Sequence, residues 1–263
     1  MIIAPLCSSS AANSTFVGSP SRGILVDVGC SYKALRGCLD KCGLDASAIK
    51  AVLVTHEHSD HVSGLKVFTK NNDIPVFASA KTREVLLQKG HVHNPDRLFC
   101  FDELGSAETD LEITPFRTPH DSAESVGFVI TCTNGYKAVY MTDLGEINEE
   151  VRRNVLGADF AFIESNYDPK MLRDNVVYPH YTKERIRSGV GHLSNPDSAE
   201  FTVELVRNGC TRVVLAHLSR QNNTPTLAYS NTEKTLNAAG FKVNRDFTLN
   251  VAEIQTCGKY IAV

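Results

Sequence analysis

A short apolar run at residues 51–54 leads straight into Thr55-His56-Glu57-His58-Ser59-Asp60-His61, and this junction constrains the fold more than any other stretch of the chain. An apolar run of that length, bounded by polar residues, reads as a buried strand. At its carboxyl end it delivers three imidazoles and an aspartate within residues 56–61. Neutral imidazole and carboxylate suit divalent ions such as zinc, manganese or iron(II). Several donors at alternating spacing fit two ions sharing one loop, so the fold must gather further ligands from other strand ends.

The rest of the chain supplies suitable strands. Residues 14–17 and 23–28 read as strands, 32–42 as a helix closed by Gly43, 65–70 as a helix, 75–78 as a strand and 81–89 as a helix ended by Gly90. The middle changes character: 111–116, 125–131 and 137–141 are strands joined by polar turns, including the hairpin signal Asn134-Gly135, which predicts an antiparallel meander. From Asn148 alternation resumes, with a helix, a strand at 160–163, a helix at 196–207, a strand at 213–216 and a helix at 225–239. Pro196 and Pro225 open the last two helices, where a missing N–H costs nothing. This order predicts an α/β fold, a four-layer αββα sandwich of two mixed β-sheets flanked by helices. With 263 residues, 42% of them apolar, the expectation is a single domain over 1–263. No repeat or linker is evident.

The formal net charge of −3 and the absence of a Lys/Arg run exclude a basic arm as the means of holding nucleic acid, while leaving room for a local basic groove. Eight cysteines without a Cys-x-x-Cys pair, in a chain with a full apolar core, are expected to be reduced. Residues 1–6 are apolar but lack the basic start of a secretory leader, and no later run approaches a membrane span. A cytoplasmic protein without membrane contact is expected, and no protein partner can be inferred.

Three further candidate ligands stand where strands run out: His120 after 113–116, Asp143 after 138–141 and His217 after 213–216. Any one alone would be an ordinary turn residue. With the 56–61 cluster they resemble the metallo-β-lactamase-fold hydrolases, whose His-x-His-x-Asp-His signature is matched in full by His56, His58, Asp60 and His61. The later motifs Thr-Pro-His120-Asp-Ser, Met-Thr-Asp143-Leu-Gly and Leu-Ala-His217-Leu-Ser match as well. The resemblance implies two divalent metal ions, zinc or manganese: one held by His56, His58 and His120, the other by Asp60, His61 and His217, with Asp143 between them. It also implies that Asp27 braces the histidine loop, where the plain alternative is a strand-end turn residue. An aspartate at 143, where lactamases of the cysteine-containing class carry a thiolate, argues against lactam cleavage, and neither Cys132 nor Cys210 fills that motif.

Residues 158–164, ending in Glu164, and Gly191-His192-Leu193-Ser194 resemble the corresponding motifs of tRNase Z-type phosphodiesterases. That likeness implies that His192 protonates the leaving alkoxide while Glu164 holds its ring; a surface carboxylate and a loop histidine are the alternatives. Together with Glu164-Ser-Asn-Tyr-Asp and His217-Leu-Ser-Arg-Gln-Asn-Asn, the motifs are similar to those of the bacterial YycJ-like exonucleases, from near Ser8 to the last helix. This implies a dinuclear phosphodiesterase with 5′-to-3′ exonuclease activity on DNA, in which a water shared by the ions attacks phosphorus and Asp60 orients it or takes its proton. The stretch 8–14 departs from the glycine-rich form usual there, so a different first turn is expected.

Lys183, Arg185 and Arg187, with Tyr178 and Tyr181 nearby, would suit the phosphates and bases of a single strand, or form a solvated helix face. Ser219, Asn222 and Asn223 could donate to a phosphate or cap the helix at Pro225. His91, His93 and His180 match no ligand motif. Rival readings are a glyoxalase II-like thioester hydrolase, for whose helical substrate domain the final segment is too short, an RNA-directed or small-molecule phosphodiesterase, and a non-catalytic metal-binding protein.

Overall fold

Two sheets lie face to face with helices on their outer sides. The computed structural model describes residues 1–106, 109–255 and 260–262. The first sheet contains β1 (Ile2–Ser9), β2 (Ala12–Ser19), β3 (Arg22–Val26), β4 (Ile49–Leu53), β5 (Val76–Ala78) and β6 (Leu98–Cys100), in that order. The second contains β7 (Leu111–Arg117), β8 (Val126–Cys132), β9 (Lys137–Met141), β10 (Phe160–Glu164), β11 (Arg212–Ala216) and β12 (Thr248–Val251), while β13 (Ile261–Ala262) pairs with β1 at the edge of the first.

Both sheets are mixed in the same way. The first three strands of each are antiparallel neighbours, and the following three run parallel. The topology therefore repeats, although the sequence has no visible repeat: what recurs is the order of antiparallel and parallel pairings.

Helices α1 (Tyr32–Lys41), α2 (Ser59–Val62), α3 (Leu65–Asn71) and α4 (Ala80–Gln88) belong to the first half; α5 (Glu149–Val155), α6 (Pro169–Asp174), α7 (His180–Arg187), α8 (Asn195–Arg207) and α9 (Pro225–Ala238) belong to the second. Leu35, Leu39, Leu65, Phe68 and Leu86 pack the early helices on the first sheet, and Val151, Val155, Phe201, Leu205 and Leu236 pack the later ones on the second. Between the sheets lie Phe77, Phe128, Tyr140, Phe160 and Phe162, with the Tyr140 and Phe162 rings stacked at 4.8 Å. Burying each such ring contributes about 1.5–3 kcal/mol. Strands covered on both faces are mostly apolar, which is why 51–54, 160–163 and 213–216 read as unbroken runs beside the polar residues Lys50, Glu164 and Arg212.

These are the four layers expected. Helix ends agree within one or two residues, and Asn148, Ser194 and Thr224 cap α5, α8 and α9 by accepting backbone N–H groups. The apolar start of the chain is β1, buried along its whole length. Strands β6, β12 and β13, which have 3, 4 and 2 residues, escape sequence reading. The turn at Ser10 and Ala11 is tight, with Ser9 opposite Ala12, and neither residue has positive φ, so it needs no glycine. The seven described cysteines are in no disulfide, in line with the reduced state expected; Cys257 lies outside the described residues.

Candidate metal centre

The carboxyl ends of the parallel strands in both sheets face the same crevice, the usual place for a site in such sheets. β3 leads to Asp27, β4 to residues 55–61, β9 to Asp143 and β11 to His217, while β10 ends on Glu164. Asp27, Asp143 and His217 have φ of 61°, 59° and 54°. Left-handed conformations are unfavourable for such residues and persist only where surrounding contacts enforce them. At His217 the enforcement is visible: its N–H donates to Ser8 Oγ at 3.0 Å and its carbonyl accepts from Asn166 Nδ2 at 2.8 Å.

The seven sequence candidates for ligation meet here. His56, His58 and His120 form one group of converging donor atoms, and Asp60, His61 and His217 form another. Asp143 stands between them: Oδ2 is 3.1 Å from His61 Nε2, and Oδ1 is 3.8 Å from His120 Nε2.

Each ring is turned by what its other nitrogen touches. His61 Nδ1 donates to Asp27 Oδ2 at 2.7 Å, His217 Nδ1 to Glu164 Oε1 at 2.7 Å and His120 Nδ1 to the Gly191 carbonyl at 3.0 Å. Thr55 Oγ1 spends its proton on Asp27 Oδ2 and so accepts from His56 Nδ1 at 3.1 Å. Each of these four rings thereby keeps its Nε2 lone pair for the centre, while His58 turns Nδ1 inward, 3.3 Å from His120 Nε2.

Electrostatics point the same way. Burial pushes the His56 imidazole well below its ordinary range, aided by His61. Burial would also lower His61 and His217, but carboxylates win: Asp143, Asp27 and Asp60 hold His61 well above its usual value, and Asp143, Asp60 and Glu164 raise His217 to about 10. Burial would raise Asp143, yet His217 and His61 keep it well below the usual carboxylate range.

This donor set fits divalent ions. His56 Nε2 and Asp143 Oδ2 are buried with no hydrogen-bond partner, and a carboxylate oxygen facing an imidazole nitrogen at 3.1 Å requires a proton or a cation between them. Nitrogen and carboxylate donors of this kind suit zinc or manganese.

Beside the ligands a cleft of about 190 Å³ is lined by His58, Asp60, Asp143, His192 and His217, and by Ser10, Asn166, Tyr178, Arg185 and Ser219. His192 Nδ1 donates to Glu164 Oε1 at 2.8 Å, so a ring edge remains free in the cleft. Glu164 is fully buried, and its Oε2 accepts from the N–H groups of Leu144 and Leu193, both at 3.1 Å. It is neither a capping nor a surface carboxylate.

Of the three cations proposed for substrate grip, only Arg185 lines the cleft, forked onto Asp121. Lys183 donates to the Arg173 carbonyl and Arg187 pairs with Glu184, as a solvated helix face would have it. Tyr178 lines the cleft, whereas Tyr181 is exposed outside it. Ser219 faces the cleft, but Asn222 and Asn223 are buried in a network with Asn175, Asn195 and Ser165, and Thr224 is the true cap of α9.

Sequence reading missed one contact and one participant. The contact of Glu164 with His217 adds a metal-site role to the expected one beside His192. Asn13, from β2, puts its side-chain amide against Asp60 and His61; no spacing signal marked it, because its only clue is its place in the short hairpin.

Comparison with known proteins agrees with this geometry. The family model described as beta-lactamase superfamily domain matches residues 22–218. The chain is 34% identical over 247 residues to exodeoxyribonuclease YycJ of Bacillus anthracis, covering 93% of this chain and 92% of that protein. Among solved structures, zinc-bound PqqB from Methylobacterium extorquens superposes with a TM-score of 0.69 at 18% identity, covering 100% of both chains. The short form of human tRNase Z superposes with a TM-score of 0.64, also at 18% identity, covering 100% of this chain and 99% of that one.

Proposed function

The chain belongs to the β-lactamase superfamily, within it to the YycJ exodeoxyribonucleases, and from that premise we propose that it is a dinuclear 5′-to-3′ DNA exonuclease. In this reading residues 1–263 form one domain, the ions are zinc or manganese, and the enzyme works in the cytoplasm; no described helix is long and apolar enough to cross a membrane. The polarity rests on family likeness alone.

The observation that carries the phosphodiester reading is the His192–Glu164 pair opening on the same cleft as the ligand cluster. A sugar oxygen leaves poorly without a proton, so a phosphodiesterase needs an acid there, whereas a thiolate leaves unaided. Bound divalent ions would neutralise the phosphodiester and make a water acidic enough to attack near neutral pH. His56, His58 and His120 would hold one ion; Asp60, His61 and His217 would hold the other, with Asp143 shared.

The remaining steps belong to the chain's own side chains. Asp60 Oδ2 lies 3.4 Å from both His61 Nε2 and His217 Nε2, and this carboxylate in the ligand cluster is assigned the orienting of the attacking water and the acceptance of its proton. His192, its Nδ1 proton committed to Glu164, would act as the imidazolium, giving its Nε2 proton to the leaving oxygen and ending as the neutral Nδ1–H ring. Arg185, fixed by Asp121, supplies the cation for a neighbouring phosphate. Tyr178 offers a ring to a base inside the cleft, and Val176, Val177 and Tyr181, near it in sequence, are exposed apolar side chains suited to the faces of unpaired bases.

Digestion of end-labelled DNA and RNA, single and double stranded, with zinc and manganese supplied in turn, tests this reading. Mononucleotide release from the 5′ end of DNA is expected. Cleavage confined to RNA, or release from the 3′ end, would overturn the substrate or the polarity respectively.

A further inference from the structure

Asn13 is 1% exposed, and its amide is aimed at two atoms of the second ion site. Nδ2 lies 3.2 Å from Asp60 Oδ2 and 3.0 Å from His61 Nε2, while Oδ1 is buried without a hydrogen-bond partner. The residue cannot drift. Its carbonyl accepts from Gly29 N–H at 2.8 Å, it sits opposite Ser8 in the β1–β2 ladder, and a side chain at Gly29 would run into the backbone of Asp60.

This arrangement has the wrong polarity for an ion. His61 spends its Nδ1 proton on Asp27, so its Nε2 offers a lone pair, and Asp60 Oδ2 offers another. With an ion bound to both, an NH₂ group in that place would turn its hydrogens toward the cation. A half-turn about Cβ–Cγ exchanges the two ends of the amide, putting a neutral carbonyl oxygen in the same spot. Donors about 2.1 Å from one ion stand roughly 3.0–3.4 Å from each other, and the amide end already keeps that spacing from both ligand atoms.

We propose that Asn13 is an eighth donor of the centre, binding the ion of Asp60, His61 and His217 through its side-chain oxygen. The inference rests on the two-ion reading above. It also distinguishes Asn13 from a residue that merely donates N–H to Asp60, because the two roles respond oppositely to an isosteric carboxylate.

The test is zinc stoichiometry and affinity, read by competition with a chromogenic chelator, together with the visible spectrum of the cobalt(II)-substituted protein, for wild type, Asn13→Ala and Asn13→Asp. Wild type is expected to hold two ions. Asn13→Ala should keep the first and bind the second about 10–100-fold more weakly, with a changed cobalt spectrum, while Asn13→Asp should hold the second at least as tightly as wild type. Wild-type affinity in Asn13→Ala, or loss of the second ion in Asn13→Asp, overturns the proposal. A wild-type protein with one ion instead overturns the two-ion reading, and the proposal with it. If Asn13→Ala fails to fold, the Asn13→Asp result decides.

Discussion

Glu164 Oε1 accepts from His217 Nδ1 at 2.7 Å, and the same oxygen accepts from His192 Nδ1 at 2.8 Å. One buried carboxylate oxygen therefore orients a metal-ligand candidate and the candidate acid together. Substituting Glu164 should damage both functions, whereas substituting His192 should damage one. Glu164→Gln is expected to weaken metal binding about 10–100-fold, and His192→Ala to leave bound metal unchanged. Metal analysis after dialysis against a graded chelator checks the pair; equal metal loss in both variants would remove the distinction between the two histidines.

The acid role of His192 makes the leaving group the diagnostic. On DNA, where a sugar alkoxide departs, His192→Ala should lower turnover by about 10²–10⁴-fold. On bis(p-nitrophenyl) phosphate, whose phenolate leaves unaided, the loss should be small. Comparable losses on the two substrates would argue that His192 acts on the attacking side instead.

The convergence of the candidate ligands was legible in the sequence because they stand at strand ends in the order of a known family, and the short apolar strands feeding them are buried on both faces. Local spacing could not disclose what depends on two distant segments meeting. Ser8 holds the backbone of His217 from 209 positions away, and Asn13 reaches out from the β1–β2 hairpin to Asp60 and His61 in α2. Charge was equally mute about direction: Lys183, Arg185 and Arg187 look alike as letters, yet α7 turns only Arg185 into the cleft.

Arg185 should account for part of the electrostatic grip on nucleic acid. Its fork onto Asp121 fixes the guanidinium at the cleft wall rather than leaving it to search. Arg185→Ala is expected to raise KM for DNA with little change in metal content. It should also reduce the slope of log affinity against log salt by about 1. Binding measured by fluorescence anisotropy across a salt series reads this directly; an unchanged slope would mean that Arg185 serves only its pairing with Asp121.

Asp27 joins fold stability to the centre. It is fully buried and accepts from Thr55 N–H and Thr55 Oγ1, both at 2.8 Å, and from His61 at 2.7 Å. Asp27→Ala strands all three donors, and breaking a buried charged pair from one side costs about 3–5 kcal/mol. The loss should appear in urea unfolding of the metal-free protein, alongside weaker metal binding. A variant with wild-type stability would mean that water takes over the carboxylate's contacts.

Metal binding should release protons, with a predictable pH dependence. Burial opposes charge on His217, but Asp143, Asp60 and Glu164 outweigh it and hold the imidazole at about 10, against an ordinary 6.5. Without an ion the ring is therefore protonated at neutral pH, and an ion seeking Nε2 must expel a proton from it. Affinity should rise with pH through the neutral range and level off above about pH 10. The raised value also stabilises the metal-free fold. That contribution is complete below about pH 6.5 and drains away as pH climbs through about 10, because the folded state binds the proton more tightly than the unfolded chain. Calorimetric titration of chelator-treated protein in buffers of different ionisation enthalpy measures the released protons. A proton count of zero at neutral pH would show that His217 is already neutral before the ion arrives.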